Sequence, residues 1–126
     1  MKATTLLFIA LMLTSVTACT QNSVPAVAPK EFQAKIKPEV QLIDARTPGE
    51  FAQGHLANAV NLDWNGGTLQ QRLSELDPKK PVLVYCASGR RSAAAAAFLK
   101  EKGFTNVTDM AGGIGAWQQA GMPIER

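Results

Sequence analysis

Cys86 heads the segment Cys86-Ala87-Ser88-Gly89-Arg90-Arg91, which lies between an apolar run, Pro81 to Tyr85, and an alanine-rich stretch that follows Ser92. A cysteine at a strand end, followed by a short loop and a helix, faces backbone N–H groups and the positive end of the helix dipole. Both favour thiolate over thiol and make a seat for an anion. Arg90 and Arg91 add guanidinium groups, which grip oxyanions through paired hydrogen bonds. The chemistry this pattern supports is attack by an ionised sulfur on a small anionic molecule.

The loop is short. Four residues separate Cys86 from Arg91, one fewer than cysteine phosphatases use to wrap a phosphate, and a tighter ring suits attack on a single sulfur atom. Ala87, Ser88 and Gly89 line it, with Gly89 supplying backbone freedom for the turn. The hydroxyls of Ser88 and Ser92 stand where they can hydrogen-bond the sulfur or cap the helix.

The elements that must hold this loop alternate between apolar runs and helical patterns. Residues 31–37 read as a brief helix and 40–44 as a strand with a buried middle. Thr47-Pro48-Gly49-Glu50 opens a short helix that ends near Gly54, with Thr47 as cap, Pro48 at the first helical position and Glu50 reaching back to the cap. A strand over 59–62 follows. A helix over 68–76 opens on a second capping pattern in Thr68 and Gln71, and Asp77-Pro78 breaks it. Residues 81–85 are a near-continuous apolar strand, as expected when both faces are covered. A helix over 92–102 stops at Gly103, and a strand over 106–109 leads through Gly112-Gly113 into a terminal helix that includes Trp117. The pattern predicts an α/β domain with a mostly parallel sheet and helices on both faces.

The N-terminus has a different character. Lys2 precedes an apolar run from Leu6 to Val16, too short to span a bilayer and suited to a secretory signal. Val16-Thr17-Ala18-Cys19 resembles a bacterial lipobox, which implies a signal peptide over 1–18 and a lipid on Cys19. Thr20 in place of aspartate after Cys19 resembles the outer-membrane pattern of Gram-negative bacteria. Residues 19–30 carry two prolines and no regular period, so they read as a tether, with the folded domain spanning 31–126. The expected location is the cell envelope, facing the periplasm, with membrane contact through the N-terminal lipid.

With 126 residues the chain has room for one domain. Lysine and arginine outnumber the acids 13 to 10, but they are scattered, and one tyrosine with no basic–aromatic run argues against nucleic-acid binding. No histidine–cysteine cluster is present for a metal, and no cofactor is called for. With Cys19 lipidated, Cys86 is the only thiol left, so no disulfide framework can form within one chain.

Three signatures together resemble the rhodanese-like sulfurtransferases. They are Leu42-Ile43-Asp44-Ala45-Arg46-Thr47-Pro48-Gly49-Glu50-Phe51 continuing to Gly54-His55-Leu56-Ala57-Asn58-Ala59, the loop Cys86 to Ser92, and Gly112-Gly113-Ile114-Gly115-Ala116-Trp117. The resemblance spans about residues 31 to 123 and implies a rhodanese-like fold. It also implies that Cys86 takes a sulfur from a donor such as thiosulfate, holds it as a persulfide and gives it to cyanide or a thiol. Arg91, Arg90, Ser88, Gly89 and Ala87 are then expected to bind the donor. Asp44, Arg46 and Glu50 are expected to form a charge network beneath the loop, with Ser92 in support. Gly54-His55-Leu56 resembles a structural motif of the family, and a preformed thiolate needs no base, so His55 is placed among the supporting residues. Trp64 is expected beside the pocket and Trp117 against the core.

Two other classes use the same cysteine. A carrier or partner-binding module would load sulfur without turnover, and a phosphatase or arsenate reductase would use the same scaffold with a longer loop. A single domain that carries its own loop needs no second subunit, so a monomer is expected.

Overall fold

Strands Ala26–Val27 (β1), Gln41–Asp44 (β2), Val60–Asn61 (β3), Val82–Tyr85 (β4) and Val107–Met110 (β5) form one sheet in a computed structural model that describes residues 23–126. The order is β1-β5-β4-β2-β3 and every pairing is parallel. The helices are Pro29–Ala34 (α1), Pro48–Gln53 (α2), Thr68–Gln71 (α3), Arg90–Glu101 (α4) and Gly113–Gln119 (α5). A 3₁₀ turn, Leu73–Glu75, follows α3. The segment read as a signal peptide and Cys19 lie outside the described residues.

The central strand β4 is buried along its whole length, and its alternation divides the core. Val82 and Val84 join Ile43, Leu69, Ala95, Ala96 and Leu99 on the face covered by α3 and α4. Leu83 and Tyr85 join Phe32, Leu42, Ile114 and Trp117 on the face covered by α1 and α5. This is the expected α/β sandwich, with alternate side chains of one strand feeding two cores. Each fully buried Leu or Val contributes on the order of 2 kcal/mol by leaving water.

Several element boundaries differ from the sequence reading. The segment read as a tether to residue 30 is drawn into the sheet: Asp109 N–H donates to Pro25 O at 2.9 Å and Ala111 N–H to Val27 O at 2.8 Å. Helix α1 then starts at Pro29, not near 31. An edge strand of two residues carries too little periodicity to read in advance, and it forms because β5 leaves an unpaired edge beside it. The helix expected over 68–76 is broken into α3 and the 3₁₀ turn. Its N-cap is Gly67 in a left-handed conformation, with no side-chain cap from Thr68.

Chain direction fixes where the site must lie. From β2 the chain passes through α2 toward β3 on one side, and from β4 it passes through α4 toward β5 on the other. The connections diverge between β2 and β4, so a crevice opens at the C-terminal ends of these two strands. Cys86 is the first residue beyond β4.

Candidate active site

The loop consists of Cys86 to Gly89, because Arg90 and Arg91 already belong to the first turn of α4. Gly89 is the N-cap with φ 106° and ψ −13°, a left-handed conformation that other residues adopt at a cost. That turn aims Gly89 N–H at Cys86 Sγ, 3.0 Å away. The buried Ser92 hydroxyl approaches the same sulfur from α4 at 3.3 Å and Gly89 O at the same distance.

Cys86 is 1 % exposed. Burial alone pushes its thiol pKa up, yet the Ser92 hydroxyl and the N–H groups of Ser92, Gly89 and Ser88 outweigh it and bring the thiol below its ordinary value. The sulfur is therefore held ready to ionise inside a cage of donors. Ser88 acts through its backbone, since its side chain is exposed. Among the described residues Cys86 is the free cysteine, with no disulfide partner.

The floor of the loop is locked from α5. Ile114 N–H donates to Cys86 O at 2.9 Å and Gly115 N–H to Ala87 O at 3.1 Å. Gly113 has φ 59°, and a Cβ there would collide with the carbonyl groups of Cys86 and Ala87. Only glycine lets the chain pass this close, and the collision would be with backbone atoms that cannot swing aside.

A buried polar network braces the crevice from β2. The Asp44 carboxylate accepts from Arg46 N at 2.9 Å, Arg46 Nε at 3.0 Å, Arg46 Nη2 at 2.7 Å and Tyr85 Oη at 2.7 Å. Arg46 Nη2 also donates to Gly54 O at 2.6 Å, and Leu56 N–H donates to Tyr85 Oη at 3.1 Å. The residue that ends β4 is thus tied through Asp44 to the turn after α2. His55 lies parallel to the Phe51 ring, centroids 3.7 Å apart, with Nδ1 2.9 Å from Phe51 O. Its backbone pairs with Glu125 in an isolated bridge. These are the contacts of a structural histidine.

Glu50 makes no hydrogen bond to Asp44 or Arg46, though it lies near enough to Arg46 to help raise it. Its side chain completes the Thr47 capping box and also receives Arg91, with Nη1 to Oε1 at 2.7 Å and Nη2 to Oε2 at 2.9 Å. This two-pronged ion pair bridges the first turns of α2 and α4 across the crevice. The Arg91 guanidinium draws the Glu50 carboxyl down to about 2, and Arg91 is in turn raised by Glu50, with smaller contributions from Cys86 and Asp63. Arg91, expected to bind the donor, has both prongs of its guanidinium engaged by Glu50. Arg90 is exposed. Trp64 is half-buried against Phe98, with ring centroids 5.4 Å apart, and so packs onto the α4 face of the core. Trp117 lies in the opposite core and donates through Nε1 to Pro123 O at 2.9 Å.

Sequence reasoning missed the steric role of Gly113 and the brace supplied by Tyr85. The first was visible only as a glycine pair in a motif, the second as the one polar tip in an otherwise apolar strand. Among the described residues no cluster of His, Cys, Asp and Glu can hold a metal ion, and no helix is long and apolar enough to cross a membrane.

A parallel α/β domain that presents an N–H-ringed cysteine at the switch point of its sheet belongs to a class built for thiolate chemistry. More narrowly, the chain belongs to the rhodanese-like family: the family profile, Rhodanese-like domain, matches residues 28–120. A sulfurtransferase of Allochromatium vinosum is 41% identical over 86 residues, covering 68% of this chain and 78% of that protein. Thiosulfate sulfurtransferase 16, chloroplastic, of Arabidopsis thaliana is 37% identical over 93 residues, covering 66% of this chain and 78% of the relative. The crystal structure of a rhodanese-related protein from Thermoplasma volcanium superposes with a TM-score of 0.72 at 33% identity, covering 80% of this chain and 97% of that one.

Proposed function

We propose that this protein is a sulfurtransferase that takes sulfane sulfur from an anionic donor of the thiosulfate type and passes it to cyanide or a thiol through a persulfide on Cys86. The Cys86 thiolate attacks the outer sulfur of the donor. The donor's S–S bond breaks, its electron pair leaves with sulfite, and the transferred sulfur stays on Cys86 as a persulfide anion. The acceptor attacks that terminal sulfur, forms thiocyanate or a new persulfide, and returns Cys86 as thiolate. Two half-reactions sharing one covalent intermediate give ping-pong kinetics.

The observation that carries this reading is the donor cage at Cys86 Sγ, where Gly89 N–H and Ser92 Oγ meet the sulfur. The same groups that favour the thiolate also suit the persulfide anion, so charge is balanced in both resting states. Arg90, exposed at the first turn of α4, is the guanidinium open to a donor's oxygens. Ala87, Ser88 and Gly89 shape the approach to the sulfur. His55, Asp44 and Arg46 hold the crevice in place.

Cys86→Ser tests the assignment. Thiosulfate:cyanide turnover is expected to vanish while the folded spectrum is retained, and turnover that persists in the serine variant would overturn it. We further propose that the chain is an envelope lipoprotein anchored through Cys19, on the strength of the lipobox-like sequence. Intact mass of the protein from its native membrane fraction reads the lipid directly.

A further inference from the structure

Asp109 is a buried acid that the transfer chemistry above leaves unused. It is 4% exposed on β5, in register with Val84 of β4 on one side and Ala26 of β1 on the other. Strand alternation puts it with Val107 on the face that α4 covers. Oδ1 accepts from Met110 N–H at 2.9 Å, and the Ser92 hydroxyl of α4 faces the same carboxyl. Burial pushes the Asp109 carboxyl up, and it outweighs Ser92 and Met110 N–H, which favour the carboxylate. No opposite charge fixes its state. Its strand neighbours are apolar, and Lys100 of α4, which lines the cavity beside it, forms no ion pair with it among the described residues. That cavity, lined also by Ala93 and Ala97, gives the carboxyl a route to solvent. Ser92 has one hydroxyl proton and three acceptors around it: Cys86 Sγ and Gly89 O, each at 3.3 Å, and the Asp109 carboxyl. A thiolate and a carboxylate cannot both receive that proton.

Resting on the sulfurtransferase reading above, we propose that Asp109 is a positioning residue that acts on Cys86 through Ser92: as a carboxylate it draws the Ser92 proton and opposes the thiolate, and as a carboxylic acid it donates to Ser92 Oγ and turns that proton to the sulfur. In the second arrangement Asp109 O–H, Ser92 O–H and the thiolate form one chain, in which each hydrogen bond polarises the next. Cys86 and Asp109 then titrate as a coupled pair and not as two separate groups. The reactive thiolate persists to lower pH than it would beside a fixed carboxylate.

The test is the pH profile of Cys86 alkylation by iodoacetamide in the purified protein, with Asp109→Asn, Ser92→Ala and the double variant beside wild type. Wild type should give a curve broader than a one-proton titration. Asp109→Asn keeps the side-chain shape and removes the charge. It should give a one-proton curve at lower pH, with alkylation at neutral pH faster by about 3–10-fold. In the Ser92→Ala background the same substitution should change the rate by about twofold or less. An Asp109 that served only the fold would alter urea unfolding and leave the pH of ionisation in place. Wild type itself supplies a second readout: the NMR resonance of the Asp109 carboxyl carbon should show a step at the pH where Cys86 ionises, and that step should vanish in Cys86→Ser. A profile that stays put or moves to higher pH in Asp109→Asn, a shift equally large with and without the Ser92 hydroxyl, or a carboxyl resonance blind to Cys86 would overturn the proposal. Alkylation needs no sulfur donor, so a protein that failed to transfer sulfur would remove the transfer reading without changing this result.

Discussion

Replacing Gly113 with alanine strikes the loop without touching any group that faces the sulfur. At φ 59° an alanine pays the left-handed penalty, about 1–2 kcal/mol. Its Cβ would also sit against the carbonyl groups of Cys86 and Ala87, so the loop and α5 must separate. Separation loosens the bonds from Ile114 N–H at 2.9 Å and Gly115 N–H at 3.1 Å, each worth about 1 kcal/mol. The sum is about 3–4 kcal/mol, a large share of the stability of a domain this size. The displaced loop also carries the Gly89 N–H off the sulfur, so the thiol should ionise at higher pH than in wild type. Urea unfolding gives the first quantity, and the pH profile of iodoacetamide alkylation gives the second. A loss below about 1 kcal/mol with an unchanged alkylation profile would refute the claim that close packing at Gly113 sets the loop.

Three other outcomes follow from the same geometry. Ser92→Ala removes the hydroxyl 3.3 Å from the sulfur and should slow Cys86 alkylation at neutral pH by about tenfold, with the profile moved to higher pH; the alkylation profile checks it. Tyr85→Phe leaves Asp44 Oδ2 and Leu56 N–H short of a buried partner and should cost about 2 kcal/mol in urea unfolding. The Glu50 carboxyl, lowered from 4.5 to about 2 mainly by Arg91, contributes stability that is present above the unfolded value and lost as pH falls toward 2. Because the pair is partly solvated, that contribution is on the order of 1 kcal/mol, and acid titrations of wild type and Glu50→Gln should diverge across this window.

What could be read from the residues alone was local. The apolar run of β4, the Thr47-Pro48-Gly49-Glu50 cap and the Cys86 loop are each defined by neighbours within a few positions; the first two stand where their patterns placed them, while the loop is shorter than read because α4 takes in Arg90 and Arg91. The parallel sheet with helices on both faces followed from alternation. What escaped was contact at a distance. Glu50 and Arg91 lie 41 positions apart, as do Asp44 and Tyr85, and no local pattern announces such a pair. Glu50, expected with Asp44 and Arg46 beneath the loop, lies near enough to Arg46 to act on its charge, but its side-chain hydrogen bonds go to Thr47 and Arg91. Gly113 belonged to a motif, but its reason lies in the carbonyls of Cys86 and Ala87 on another strand end. The two-residue strand β1 exists only because β5 offers it an edge.

The most direct measurement is the intact mass of the protein after exposure to a sulfane donor, followed by the mass after cyanide. A gain of about 32 Da on Cys86, one sulfur atom, discharged by cyanide and absent in Cys86→Ser, is the result this account predicts. A thiol that never gains that mass, or a gain that survives in Cys86→Ser, would contradict it.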